Sequence, residues 1–117
     1  MKLYTITATP VREGYTAYKN ANLVRDYPAS VAETLRDEFS IDGFTIYKTQ
    51  GYWKGNAEDS FKIELALDTA VSDITGKHLY TACNLTHSVE KIAEYLRDQY
   101  AQDAVMLTYP DGSVKFI

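Results

Sequence analysis

Aromatic and basic side chains crowd together most densely at Tyr47-Lys48 and Tyr52-Trp53-Lys54-Gly55. Tyr and Trp bury a large area while losing little rotamer entropy, which makes them anchors at binding surfaces. The same residues can instead cover a local core and a sheet face, and the residue types leave both readings open. A second stretch sets Arg12, Lys19 and Arg25 among Tyr15, Tyr18 and Tyr27. Cations interleaved with stacking faces suit a nucleotide or a single-stranded nucleic acid. An amphipathic loop lying over a hydrophobic edge has the same composition. The glycine-aromatic run of the common RNA-binding sheet is missing, with Gly51-Tyr52-Trp53 only a distant echo of it. The expected partner-binding residues are therefore Tyr15, Tyr18, Arg25, Tyr47, Tyr52, Trp53 and Lys54.

Reactive groups are sparse. His78, Cys83 and His87 are the soft metal ligands of the sequence. Positions 78 and 83 on one strand point to opposite faces, and zinc wants more ligands at tighter spacing, so no metal is expected. Cys83 with His87 is the nearest approach to a nucleophile and base, but a lone cysteine in a strand is more often an inert core residue. Glu58 and Asp59 are adjacent carboxylates of the kind that face water in a loop. There is no Walker loop, no dinucleotide-binding glycine pattern and no metalloprotease helix. These observations predict no catalytic residue, no cofactor and a chain that is not an enzyme.

The elements that must position these residues come from a chain of 117 residues, 45% hydrophobic and 24% charged. That is enough to bury one core as a single domain, residues 1–117. Twelve basic against sixteen acidic residues give a net charge of −4, which argues against a dedicated duplex-DNA binder. The acidic excess lies in residues 59–117. No apolar run is long enough to span a bilayer, and the opening Met1-Lys2-Leu3-Tyr4-Thr5 alternates like a strand rather than forming a signal peptide. With one cysteine and no internal disulfide, a cytoplasmic location is expected.

Residues 2–9 read as a strand with Tyr4, Ile6 and Ala8 on one face. Residues 10–28 are polar and irregular. Ser30 and Glu33 form a capping box that predicts a helix over 30–40, with Val31, Leu35 and Phe39 on its apolar face. Strands follow at 44–53 and at 60–68, where Phe61, Ile63, Leu65 and Leu67 alternate with Lys62, Glu64 and Ala66. A further strand at 78–83, a helix at 87–101 and strands at 104–109 and 113–117 complete the chain. Pro110-Asp111-Gly112 turns the last pair. The core is expected to hold Leu35, Phe39, Ile46, Ile63, Leu65, Ile92, Leu96, Val105 and Leu107. Lys62, Glu64, Ser113 and Lys115 are expected on the opposite sheet face.

The second half reads as a copy of the first. Leu3-Tyr4-Thr5 matches Leu79-Tyr80-Thr81, and Leu35-Arg36-Asp37 matches Leu96-Arg97-Asp98. From Leu35 to Gly51 the ungapped alignment has five identities in 17 positions, where roughly one is expected from residue frequencies. The pattern predicts two strand–helix–strand–strand halves, 2–68 and 78–117. They would form one mostly antiparallel α+β sheet with both helices on one face, in the style of ferredoxin-like domains. The first half carries extra residues at about 10–28 and 52–59. Both insertions should leave the sheet at the same end, where loops on a rigid scaffold carry function.

The spacing Gly51-x-Trp53-x-Gly55-x-x-Glu58-x-Ser60, with Gln102-Asp103-Ala104-Val105 later, resembles small uncharacterised phage and prophage proteins. The resemblance implies a class of tasks, the binding and blocking of a host component such as restriction or CRISPR machinery. The expectation is thus a non-catalytic protein-binding inhibitor whose partner is a host protein, with a homodimer as a further partner and neither nucleic acid nor membrane involved. The alternative is a small-ligand or nucleotide-binding domain, or a single-stranded nucleic-acid binder.

Overall fold

The computed structural model describes residues 2–9, 27–41, 43–67, 85–100, 102 and 104–117. Their elements are β1 (Lys2–Ala8), α1 (Tyr27–Phe39), β2 (Thr45–Trp53), β3 (Asn56–Leu67), α2 (Leu85–Gln99), β4 (Met106–Thr108) and β5 (Val114–Phe116). The five strands form one sheet in the order β2-β3-β1-β4-β5. Every neighbouring pair is antiparallel. The fold is α+β, as the alternation and the helical periods predict.

Period-two burial divides the sheet. Tyr4, Ile6 and Ala8 of β1, Phe61, Ile63, Leu65 and Leu67 of β3, and Leu107 of β4 are buried on one face. Both helices supply the other half of that core, with Val31, Leu35 and Phe39 from α1 and Val89, Ile92, Ala93 and Leu96 from α2. Each fully buried aliphatic side chain contributes on the order of 1.5–3 kcal/mol. The expected core residues are buried, except that Ile46 is only partly so and packs against the cluster. The other face carries Leu3, Thr5 and Thr7 beside Lys62 and Glu64. Ser113 and Lys115 are not on it: Lys115 stands opposite the buried Leu107, on the helix side, where it meets Glu90 of α2.

Helix α1 starts earlier than its capping box predicts. Tyr27 is 1% exposed and continues the four-residue spacing of Val31, Leu35 and Phe39. Its ring lies 4.9 Å from Phe61 and 4.6 Å from Tyr100. Burying that ring draws the helix start forward, and Pro28 is tolerated because no intrahelical partner awaits a first-turn N–H. Ser30 then sits inside the helix, where its Oγ accepts the Tyr100 hydroxyl proton.

Most of the stretch expected as a loop at 52–59 is instead strand. β2 and β3 run together to a two-residue turn at Lys54-Gly55, both at positive φ (50° and 79°). That is the hairpin turn whose twist matches its strands. Because Ala8 pairs with Phe61, the rest of this hairpin projects beyond the end of β1. There Gln102 acts as an extra rung. It accepts from the Thr9 N–H at 3.1 Å and donates to the Thr9 carbonyl at 2.8 Å.

The internal duplication is not confirmed. The expected strand at 78–83 and most of the 10–28 insertion lie outside the described residues. The two hairpins also dock differently: β3, the second strand of its hairpin, lies beside β1, whereas on the other side it is the first strand, β4. Among the described residues no helix is long and apolar enough to cross a membrane.

Candidate functional site

Of the residues singled out from the sequence, the described structure places Tyr47 and Tyr52 on opposite faces of β2. Tyr15, Tyr18 and Arg25 lie outside the described residues, as do His78 and Cys83. Tyr47 stands on the sheet face away from the helices, opposite Lys62, and donates its hydroxyl proton to Glu64 at 2.7 Å. That bond is the main reason the phenol's pKa is raised. Tyr52 is 71% exposed and is five positions along the same strand, so it faces the opposite way. Trp53 closes β2 opposite Asn56, and Lys54 occupies the turn. The structure therefore separates Tyr47 from Tyr52.

A different set of residues converges on a cleft of about 310 Å³ at the Lys2 end of β1. β1 contributes Lys2 and Tyr4, the first turn of α2 contributes Thr86, and the β4–β5 connection contributes Tyr109, Pro110, Asp111 and Ser113. Lys2 and Tyr4 share the helix-side face of β1 because they are two residues apart. Tyr4 is 1% exposed, and its hydroxyl shares a 2.7 Å hydrogen bond with Thr86 Oγ1. The Tyr109 ring meets the Tyr4 ring edge-on, with centroids 6.2 Å apart at 68°. Such a pair prefers this geometry because the positive ring edge meets the negative ring face.

The turn that carries Asp111 is tightly specified. The Tyr109 N–H donates to the Ser113 carbonyl and the Gly112 N–H to the Tyr109 carbonyl, each at 2.9 Å. Gly112 takes φ 87°. Asp111 Oδ1 accepts from the Ser113 N–H at 2.9 Å and from its hydroxyl at 2.6 Å. Those bonds to the charged form lower the Asp111 pKa, so the carboxylate is ionised at neutral pH. Tyr109 behaves oppositely. Burial first, and then its 2.8 Å hydrogen bond to Glu90 Oε2, push its phenol up to about 12. It stays a protonated donor at any physiological pH.

The cleft thus offers the Tyr109 ring and Pro110 as apolar lining over the buried Tyr4 ring, with hydroxyl groups, one ammonium and one carboxylate at its rim. That combination suits a flat heterocycle with a charged appendage. Two further hollows are less suited. The groove between α2 and β5 is lined mainly by charged side chains, among them Glu90, Lys91, Glu94 and Lys115. The one between the helices includes Glu33, Asp37 and Glu38. Neither brings two aromatic rings together.

Sequence reasoning placed Tyr4 on the core face and Asp111 in a turn, but did not join them. One signal was present: a tyrosine at an inward strand position must find a partner for its hydroxyl, so polar groups had to gather around Tyr4.

No protein-family model matches the chain, and no curated protein matches it. Among solved structures it is similar to a phage SAM lyase in complex with S-methyl-5′-thioadenosine, with a TM-score of 0.57 and 17% identity over 99% of this chain and 88% of that one. It is also similar to a phage SAM lyase in the apo state, with a TM-score of 0.55 and 18% identity over 99% of this chain and 87% of that one. These likenesses correct the expectation of a non-catalytic inhibitor that binds a host protein. These two solved structures are of an enzyme, one of them with a small molecule bound.

Proposed function

We propose that the chain binds a 5′-thio-substituted adenine nucleoside and cleaves S-adenosylmethionine in the Tyr4–Tyr109 cleft. The observation that carries this reading is the likeness, over 99% of the chain, to a SAM lyase holding S-methyl-5′-thioadenosine. The aromatic cleft supports it from the side of chemistry. The phage origin of the solved neighbours also supports grouping the chain with the phage proteins that its short motifs resemble.

The reaction follows from bond accounting. The sulfonium sulfur carries a methyl, an adenosyl and an aminocarboxypropyl group. S-Methyl-5′-thioadenosine retains the first two, so the bond that breaks joins sulfur to the aminocarboxypropyl carbon. The bonding pair goes to sulfur and cancels its positive charge. With no water added, the new bond to that carbon comes from the fragment's own carboxylate oxygen, which closes a lactone. No oxidant, reductant or cofactor is needed.

A step that cancels a cation against an anion runs faster where water is excluded. The Tyr109 ring and Pro110 supply part of a lining of that kind, and an aromatic face attracts a sulfonium. Lys2 and Asp111 at the mouth match the carboxylate and ammonium of the amino-acid end.

The test is to incubate the protein with S-adenosylmethionine and follow S-methyl-5′-thioadenosine by chromatography. Protein-free buffer and Tyr109→Ala serve as controls, because the substrate also decays unaided. Product formed faster than in both controls is expected. A rate equal to buffer, together with no rise in melting temperature on adding S-methyl-5′-thioadenosine, overturns the reading.

A further inference from the structure

The two tyrosines are held by the same device. Tyr4 is tied through its hydroxyl to Thr86, and Tyr109 is tied through its hydroxyl to Glu90. Thr86 and Glu90 are four residues apart on α2, one turn above the other on one side of the helix. A single helix face therefore sets the positions of two rings, one on β1 and one just past the end of β4. Glu90 does not line the cleft itself. It lines the neighbouring α2–β5 groove, where the same Oε2 that accepts from Tyr109 lies 3.5 Å from Lys115 Nζ. Its side chain is 27% exposed, against 61% for Lys115.

We propose that Glu90 is a positioning residue for the cleft: it holds Tyr109 by the hydroxyl so that the ring stands against Tyr4 as a ligand-binding wall, with Lys115 as the counter-cation that keeps the carboxylate in place. The role assigned to the wall rests on the function proposed above. An ionised acceptor makes a shorter and stronger bond to a phenol than a neutral one does, so a carboxylate fixes the ring more firmly than an amide of the same shape. The other ionisable groups around the pair are His87, Lys91, Glu94 and Arg97 on α2, Lys115 on β5, Lys2 and Tyr4 on β1, and Asp111 in the β4–β5 turn.

The experiment is a double-mutant cycle read by the affinity for S-methyl-5′-thioadenosine. Glu90→Gln is expected to weaken binding roughly tenfold, the scale of a lost charged hydrogen bond. Tyr109→Phe should weaken it by a similar factor. The double variant should be no worse than either single one, because Glu90 acts only through that hydroxyl. Lys115→Met should give a smaller loss in the same direction. Additive losses, or an unaffected Glu90→Gln, overturn the proposal.

A second readout is independent of the ligand. Spectrophotometric titration of the wild-type protein should show a tyrosine ionising near 12, and Glu90→Gln should bring it down towards the ordinary range. If the wild type fails to bind the nucleoside, the proposed function falls while this titration still decides whether Glu90 governs Tyr109. An unchanged tyrosine titration overturns the positioning role. Circular dichroism of Glu90→Gln separates either result from loss of the fold.

Discussion

Tyr100, just past the end of α2, donates its hydroxyl proton to Ser30 in α1, and its ring meets that of Tyr27 at 4.6 Å. One side chain thus joins the two helices by a polar bond and an aromatic contact. Tyr100→Phe keeps the ring and leaves Ser30 without this donor. It should cost about 1 kcal/mol. Tyr100→Ala removes a ring that is 2% exposed and should cost about 3–5 kcal/mol. Urea unfolding of both variants checks the ordering, and equal losses would show that the hydroxyl carries the contact.

The hairpin turn gives a second expectation. Gly55 has φ 79°, and a Cβ there would meet nothing within 4 Å. Gly55→Ala should therefore lose about 1 kcal/mol from backbone strain alone. Gly43 has neither a positive φ nor a neighbour within 4 Å. Gly43→Ala should be neutral or slightly stabilising, since it restricts only the unfolded chain. Urea midpoints of the pair separate strain from packing.

Alkaline pH provides a third. Burial raises the Tyr100 phenol, and burial with the Glu90 bond raises that of Tyr109 to about 12, from an ordinary value of 10.0. The native state holds these protons where the unfolded chain releases them. Their contribution to stability is complete below about pH 10 and is lost as pH rises towards about 12. Stability measured across that range should fall, and it should fall less in Tyr109→Phe. An identical slope in both proteins would refute the assignment.

The mouth of the cleft supplies a fourth. S-Adenosylmethionine carries an ammonium that S-methyl-5′-thioadenosine lacks. Asp111→Asn should raise the KM for the former by roughly threefold, a modest effect because the carboxylate faces solvent. It should leave the affinity for the latter unchanged. Competition binding with both compounds measures the difference, and equal losses would place Asp111 against the nucleoside instead.

The fold was largely legible because its signals are local. Alternation at Phe61, Ile63, Leu65 and Leu67 and four-residue spacing at Val31, Leu35 and Phe39 each declare an element and its buried face. Ser30 and Glu33 are good caps in isolation, whereas the earlier start of α1 depends on Tyr27 meeting Phe61 and Tyr100, contacts distant in sequence. Asn56, Glu58 and Asp59 are poor strand formers, so local propensity does not announce a strand at 56–59. Pairing with β2 overrides that preference. The cleft was hidden for the same reason as the helix start. Tyr4 meets Thr86 across 82 positions, and no local pattern announces that. The aromatic density at Tyr47, Tyr52 and Trp53 drew attention to β2, yet period-two geometry sends Tyr47 and Tyr52 to opposite sides.

β1 lies at the centre of the sheet, with β3 on one side and β4 on the other. During synthesis the strand that carries Tyr4 emerges early, and the segment that carries Tyr109 emerges late. The half of the sheet made with β3 can assemble while α2 is still being made, but it then exposes an open edge where β4 belongs. On the function proposed above, the nucleoside finds no complete cleft until the segment carrying Tyr109 is in place. The β4–β5 hairpin that completes the sheet also completes the cleft, so closing the fold and building the proposed site are one event.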